Sequence, residues 1–206
     1  MKTRLLLSTL LFIAAATTAR AALFYSGVQN VPIPQTHDGV YLRMSDGATT
    51  GAFPPDWSTA PWLNPFFGGV DVGNSPLLRP VITGADQIVN LASGTVIDSG
   101  SNFVAGESGS STHTGAAANQ FHIGTPGLMG FVFETTAGGP DYYGWVRMNV
   151  NNVGAGSIVD WAYDNTAGTP VLAGISSVPE PATTLVGLAL CGVSVLRRRR
   201  GTARRR

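Results

Sequence analysis

Two short stretches, YGWVRMNV (Tyr143–Val150) and SIVDWAY (Ser157–Tyr163), decide the fold of this chain. Both are rich in the β-branched and aromatic residues that favour strands. In the first, every second residue from Val146 to Val150 is apolar, while the alternate positions hold tryptophan, arginine and asparagine. Successive side chains of a strand point to opposite faces, so this pattern predicts a strand. A glycine-rich turn follows it, and we therefore expect the two stretches to pair antiparallel as a hairpin.

The rest of the segment 22–177 has a similar pattern. Turn-forming pairs such as Asp38-Gly39, Asp46-Gly47 and Gly138-Gly139 recur about every ten residues, and long helical periodicity is missing. This is typical of an all-β fold, either an antiparallel β-sandwich or a jelly roll. The glycine- and serine-rich stretch Gly100–Asn119 predicts a long loop. Further strands are expected at Leu23–Val28, Val40–Met44, Phe66–Val72, Gln87–Leu91, Thr95–Ser99, Gln120–Ile123 and Phe131–Thr135.

The charge of this segment differs from that of the whole chain. Ten of the thirteen basic residues lie near the two ends, which leaves three arginines and eleven carboxylates between Ala22 and Val178, a formal charge of −8. An acidic domain of this kind is not expected to bind nucleic acid or anionic lipid. The single cysteine, Cys191, lies outside it, so the domain has neither a disulfide nor a cysteine zinc site.

The N-terminus has the three-part layout of a secretory signal peptide. A positive start is followed by the apolar run Leu5–Ala16 and then by Ala19-Arg20-Ala21. We expect a signal-peptide helix within residues 1–21 and cleavage by signal peptidase between Ala21 and Ala22, with Ala19 and Ala21 as the small residues that the peptidase accommodates. The secretion machinery is then a partner of the immature chain.

The C-terminus combines an apolar segment with a basic tail. Residues 182–196 carry no charge, and as a helix they would reach roughly 22 Å, short of the ~30 Å hydrocarbon core. We expect a short transmembrane helix, because bilayer thinning tolerates such a mismatch. The positive-inside rule keeps the tail in the cytoplasm. The arginines that set this topology are Arg197, Arg198, Arg199 and Arg200.

A proline–acid–proline motif precedes the apolar segment. Val178-Pro179-Glu180-Pro181, the apolar segment and the arginine cluster together resemble the PEP-CTERM sorting signal of certain Gram-negative bacteria. The resemblance implies cleavage by an exosortase, a membrane-embedded cysteine-protease-like enzyme, and delivery to the cell surface or extracellular matrix. It makes these four residues recognition residues. An ordinary tail anchor with an incidental proline linker is the competing interpretation.

Residues 142–174 resemble a β-rich module that recurs just upstream of PEP-CTERM signals. The recognisable parts are its Tyr-Gly-Trp-Val-Arg and Asp-Trp-Ala-Tyr strands. The module has no assigned activity, so this resemblance implies fold and export only.

The sequence has no convincing catalytic constellation. Gly106–Ser110 approaches a nucleophile elbow but lacks its final glycine, and Gly154-Ala155-Gly156 lacks the third glycine of a dinucleotide fingerprint. The histidines, His37, His113 and His122, do not have a zinc spacing. We therefore predict a protein that is not an enzyme and has no cofactor.

Calcium is the one metal that the residue types favour. Loop oxygen ligands suit this cation, and the candidates are Asp71, Asn74, Asp160 and Asp164. Solvated turn carboxylates are the simpler interpretation.

The aromatic residues leave a second function open. Rigid exposed rings stack on sugars, whereas aromatics of an all-β domain more often pack in the core. The two groups to distinguish are Trp57, Trp62, Phe66 and Phe67, and Tyr142, Tyr143, Trp145 and Trp161. The sequence thus predicts a non-enzymatic surface or matrix protein. The alternative is a lectin-like or glycan-hydrolysing β-sandwich protein whose partner is an extracellular polysaccharide. A glycan-active site would show an aromatic-lined groove with two facing carboxylates.

Overall fold

The computed structural model describes residues 23–84, 87–104, 113–151 and 156–177. The described chain is all-β, which confirms the predicted class. Both predicted terminal helices lie outside the described residues. The strands are β1 (Leu23–Tyr25), β2 (Val31–Ile33), β3 (Tyr41–Arg43), β4 (Thr49–Thr50), β5 (Trp62–Phe66), β6 (Asp71–Asn74), β7 (Leu78–Pro80), β8 (Val96–Ile97), β9 (Pro126–Phe133), β10 (Tyr142–Asn149), β11 (Gly156–Asp164) and β12 (Val171–Leu172). Among these residues no helix has the length and apolar character that a membrane crossing requires.

The main sheet is built around the predicted hairpin. β10 pairs antiparallel with β11, from Gly144 opposite Tyr163 to Asn149 opposite Ser157, which confirms that prediction. The sheet order is β1–β11–β10–β9–β7, and β2 pairs with the same edge of β11 as β1, further along the strand. A second antiparallel sheet has the order β4–β3–β5–β6, and β8 pairs with β12 in a small third sheet.

Both faces of the main sheet are apolar. On one face, Val146 and Met148 belong to a core cluster that also contains Leu42 of β3 and Leu63 of β5. The main sheet and the second sheet therefore contribute to one core. On the other face, Trp145 belongs to a separate cluster that includes Ile97 of β8 and Val171 of β12. The third sheet thus supplies apolar partners for the face opposite the second sheet.

A β-bulge sets the faces of β11. The pairing passes from Arg147 opposite Asp160 to Met148 opposite Ile158, so Val159 is an extra residue. Ile158 and Trp161, three residues apart, consequently both belong to the first core cluster. The Val159 carbonyl accepts hydrogen bonds from the backbone N–H groups of Gln29 and Asn30, at 2.8 and 3.2 Å. The segment between β1 and β2 therefore supplies hydrogen-bond donors to the Val159 carbonyl, which the bulge removes from the β-ladder.

Some predicted strands are wrong in extent. Phe66–Val72 is not one strand, because β5 ends at Phe66, a 3-10 turn occupies Phe67–Gly69 and β6 begins at Asp71. Gly68 and Gly69 have φ values of 72° and 84°, which are incompatible with a continuous strand. The expected strands around Ile88 and Phe121 are reduced to isolated bridges.

Gly144 on β10 provides a test of the packing. A Cβ atom there would lie 2.6 Å from the Ala162 carbonyl oxygen and would also strike the Phe131 ring. We predict that Gly144→Ala lowers the free energy of unfolding by about 1–3 kcal/mol, as overpacking does. Gly51→Ala is the matched control, because a Cβ there has no atom within 4 Å. Urea unfolding of both variants measures the difference, and equal stabilities would contradict this packing.

Candidate functional site

An arginine on β3 organises a polar and aromatic surface of the second sheet. Arg43 is paired with Trp62 across β3 and β5, and its guanidinium carbon lies 5.2 Å from the Trp62 ring centroid. The guanidinium donates to both oxygens of Asp46, at 2.8 and 2.6 Å, and to Asp56 Oδ2 at 2.9 Å. Trp62 Nε1 donates to Asp56 Oδ1 at 3.0 Å. Cross-strand pairing, a tight turn and a proline-bearing loop thus hold two carboxylates around one cation.

Arg43, Asp56 and Trp62 border an open depression of about 520 Å³. We call it the Arg43 depression; its lining includes Arg43, Thr50, Phe53, Asp56 and Trp62. The Phe53 side chain is 65% exposed. Its ring centroid lies 5.9 Å from that of Tyr41 and 5.5 Å from that of Trp57, so aromatic neighbours support it.

The lining of the depression pairs one guanidinium with one carboxylate, and Asp46 binds Arg43 from outside that lining. The hydrogen bond from Arg43 is the main cause that lowers the pKa of Asp46 below its ordinary value, and the backbone N–H of Ala48 lowers it further. The same bond is the main cause of the raised pKa of Arg43. Asp46, which holds Arg43 without lining the depression, is therefore ionised at neutral pH.

A second cluster, on the main sheet, surrounds a buried carboxylate. Asp160 is 1% exposed, and its Oδ2 atom lies 3.2 Å from Arg147 Nη1 and accepts a hydrogen bond from the Tyr25 hydroxyl at 2.9 Å. Its Oδ1 atom is buried without a hydrogen-bond partner among the described residues. The Arg147 guanidinium carbon lies 5.4 Å from the Trp145 ring centroid. We call Tyr25, Trp145, Arg147 and Asp160 the buried ion-pair cluster.

This cluster contacts both ends of the folded domain. Tyr25 belongs to the first strand. At the other end, Trp145 Nε1 donates to the Ile175 carbonyl at 3.3 Å, and Arg147 Nη2 donates to the Gly174 carbonyl at a longer 3.5 Å. The residues that follow the predicted signal cleavage site and those that precede the predicted sorting motif are therefore fixed to the same ion pair.

The calcium candidates do not converge. Asp71 and Asn74 lie on β6, whereas Asp160 and Asp164 lie on β11. Asp160 is occupied by Arg147 and Tyr25, and Asp164 Oδ1 accepts the backbone N–H of Thr166 at 2.7 Å. Across the part of the chain that the structure describes, no group of three or more His, Cys, Asp or Glu side chains could hold a metal ion.

The histidines occupy three different environments. His113, within the stretch predicted as a loop, is buried with its ring 4.7 Å from that of Phe121. His37 lies against the rings of Phe66 and Phe67, each centroid at 5.8 Å. His122 is exposed.

The two aromatic groups have different environments. Tyr143, Trp145 and Trp161 are buried, so these three rings are core residues and not a sugar-binding face. Trp62 is also buried but borders the Arg43 depression. Phe53 is an exposed ring that neither predicted group includes. The sequence feature that could have predicted its exposure is a large apolar residue between Gly51-Ala52 and Pro54-Pro55, in a loop without a strand to bury it.

The residues predicted to direct export lie outside the described residues. They are Ala19, Ala21 and Ala22, Val178 to Pro181, and Arg197 to Arg200. Gly106–Ser110 and the first two residues of Gly154-Ala155-Gly156 also lie outside the described residues. No family model, curated protein or solved structure matches this chain. Function is therefore inferred from the sequence motifs and from the geometry of these two clusters.

The buried ion-pair cluster predicts a specific alkaline sensitivity. The hydrogen bond to Asp160 is the main cause of the raised pKa of Tyr25, and burial adds to it. The folded state therefore holds the phenol proton more tightly than the unfolded state does. This stabilisation is present below the ordinary pKa of 10.0 and is lost as the pH rises through the folded-state pKa.

We predict that Tyr25→Phe loses less stability than the wild type between about pH 8 and about pH 11. Urea unfolding at both pH values measures this difference. Tyr41, Tyr143 and Tyr163 also have raised pKa values, so the variant keeps part of the alkaline loss. An equal loss in both proteins would show that Tyr25 does not contribute.

Proposed function

We propose that this chain is an exported, non-enzymatic cell-surface or extracellular-matrix protein, sorted by a PEP-CTERM signal and processed by an exosortase-type membrane protease. The observation that carries the proposal is the order of the last 29 residues: the motif Val178–Pro181, an uncharged segment and an arginine tail. The compact unit that holds the β-domain ends at Ser176, two residues before this motif. A protease that cleaves near the motif would release the domain intact.

The N-terminus supports the same export route. Cleavage between Ala21 and Ala22 leaves a mature chain whose first strand, β1, begins at Leu23. Because β1 pairs with β11 through Leu23, the signal peptide joins the chain directly at a strand of the main sheet. Removal of residues 1–21 and inner-membrane anchoring by residues 182–196 would precede release to the surface of a Gram-negative-type bacterium.

The finer fold that we propose is a β-sandwich. Its support is the core cluster that the main sheet shares with the second sheet, as in two sheets packed face to face. The third sheet adds apolar cover to the outer face of the main sheet. A densely packed domain of this kind suits a structural or adhesive component.

The glycan-hydrolase alternative is less well supported. Glycoside hydrolysis needs one protonated carboxyl group beside an ionised one. Asp46 and Asp56 face each other across Arg43, but both accept hydrogen bonds from that guanidinium, and the pKa of Asp46 is lowered. The lowered pKa of Asp46 disfavours the protonated acid that hydrolysis requires, so the arrangement favours binding over hydrolysis.

The sorting proposal predicts that the proline–acid–proline motif is essential for processing. Glu180→Ala and the double variant Pro179→Ala/Pro181→Ala leave the length of the apolar segment and the number of arginines unchanged. We expect both variants to accumulate uncleaved in the membrane fraction, because the protease no longer recognises the extended motif. The wild type should lose its tail and reach the surface.

An epitope inserted within residues 105–112 allows immunoblots of the membrane and surface fractions. Glu134→Ala is a control that removes a carboxylate from the domain and leaves the motif intact, and it should be processed like the wild type. A simple tail anchor would give the same size and distribution for every variant, and that result would contradict the sorting proposal.

A further inference from the structure

We propose that the Arg43 depression binds a segment of uncharged polysaccharide. Small-molecule sites are concave surfaces with an apolar or aromatic wall and a few fixed polar groups. The depression, of about 520 Å³, combines the exposed Phe53 with the Arg43, Asp56 and Trp62 network. The proposal depends on these residues and not on the sorting signal, so either can fail without the other.

The aromatic part is a supported ring. Phe53 is 65% exposed, and the rings of Tyr41 and Trp57 lie within 5.9 Å of its centroid. A flat ring held in this way loses little conformational entropy when a sugar stacks on it. The C–H face of a sugar ring is apolar and matches such a surface, because aromatic side chains bury a large area with few rotatable bonds.

The polar part supplies acceptors and donors in fixed positions. Asp56 lines the depression and accepts hydrogen bonds from Arg43 and from Trp62 Nε1, yet its side chain is 35% exposed. Each carboxylate oxygen has more than one acceptor position, so sugar hydroxyl groups can donate to them without displacing Arg43. Because the polar groups are already ordered, binding does not have to order them.

The charge of the site selects the ligand class. In the lining Asp56 balances Arg43, while the domain between Ala22 and Val178 carries a formal charge of −8. Arg79 and Arg147, the other arginines of this segment, are each bound to carboxylates elsewhere. Uronate or sulfate polymers would be repelled. Cationic polymers would be attracted to the acidic domain as a whole and not specifically to this depression, whose aromatic ring and balanced polar groups favour an uncharged sugar polymer.

Biolayer interferometry with the full-length protein in mild detergent tests the proposal. The probes are immobilised cellohexaose, mannohexaose and maltohexaose, with oligoalginate as the anionic probe and polylysine as the cationic probe. We expect binding to at least one neutral probe and no retention by oligoalginate. Phe53→Ala should weaken neutral binding by about tenfold, the loss expected when a stacked ring is removed.

Two further variants make the result specific. Val28→Ala removes a side chain that is 62% exposed and does not line the depression, and it should bind like the wild type. Asp56→Asn keeps an acceptor for Trp62 but removes a charged acceptor for sugar hydroxyl groups, so it should weaken neutral binding, though less than Phe53→Ala does. Three results would overturn the proposal: no binding to any neutral probe, binding that is insensitive to Phe53→Ala, or binding to polylysine alone that Asp56→Asn abolishes.

Discussion

The ion pair between Arg147 and Asp160 is the interaction on which the arrangement of the main sheet depends. A carboxylate that is 1% exposed is costly to bury, and removing the partner of such a group typically costs about 3–5 kcal/mol. Arg147 and Tyr25 both satisfy its Oδ2 atom. Because Arg147 and Asp160 face each other on β10 and β11, the pair also fixes the register of the central hairpin.

The bulge at Val159 is what makes this pair compatible with the core. With regular alternation, Asp160 would share a face with Ile158 and lie in the first core cluster. The extra residue moves Asp160 to the face that holds Trp145 and Ala162, and it returns Trp161 to the core. The two chain ends meet on this second face, since Tyr25 contacts Asp160 and Ile175 contacts Trp145. On the proposed export route, a domain whose ends are fixed in this way would keep both ends paired after the two signals are removed.

The hairpin and the all-β class could be predicted because strand alternation and turn residues are local signals. The two-residue and three-residue strands β2, β4, β7 and β12 could not, because tertiary pairing defines them and such short stretches have no periodicity of their own. The sequence made Asp160 a calcium candidate, whereas the structure pairs it with Arg147. That pairing depends on a strand register that includes the bulge, and no local sequence signal predicts the bulge. The Arg43 depression is lined by residues from β3, β5 and the loop between β4 and β5. These residues are separated in the sequence, so local patterns do not predict that they lie together.

Hydrogen exchange of the Arg147→Met variant, measured against the wild type, tests the role of the ion pair most directly. The account predicts faster exchange at both chain ends, in the amides of Phe24 to Ser26 and of Ala173 to Ile175, while the amides of the β3–β5 pairing keep their wild-type protection. Asp160→Asn should affect the same two regions. Wild-type protection at either end, or an equal loss of protection in both sheets, would contradict the claim that this pair fixes the two ends of the domain.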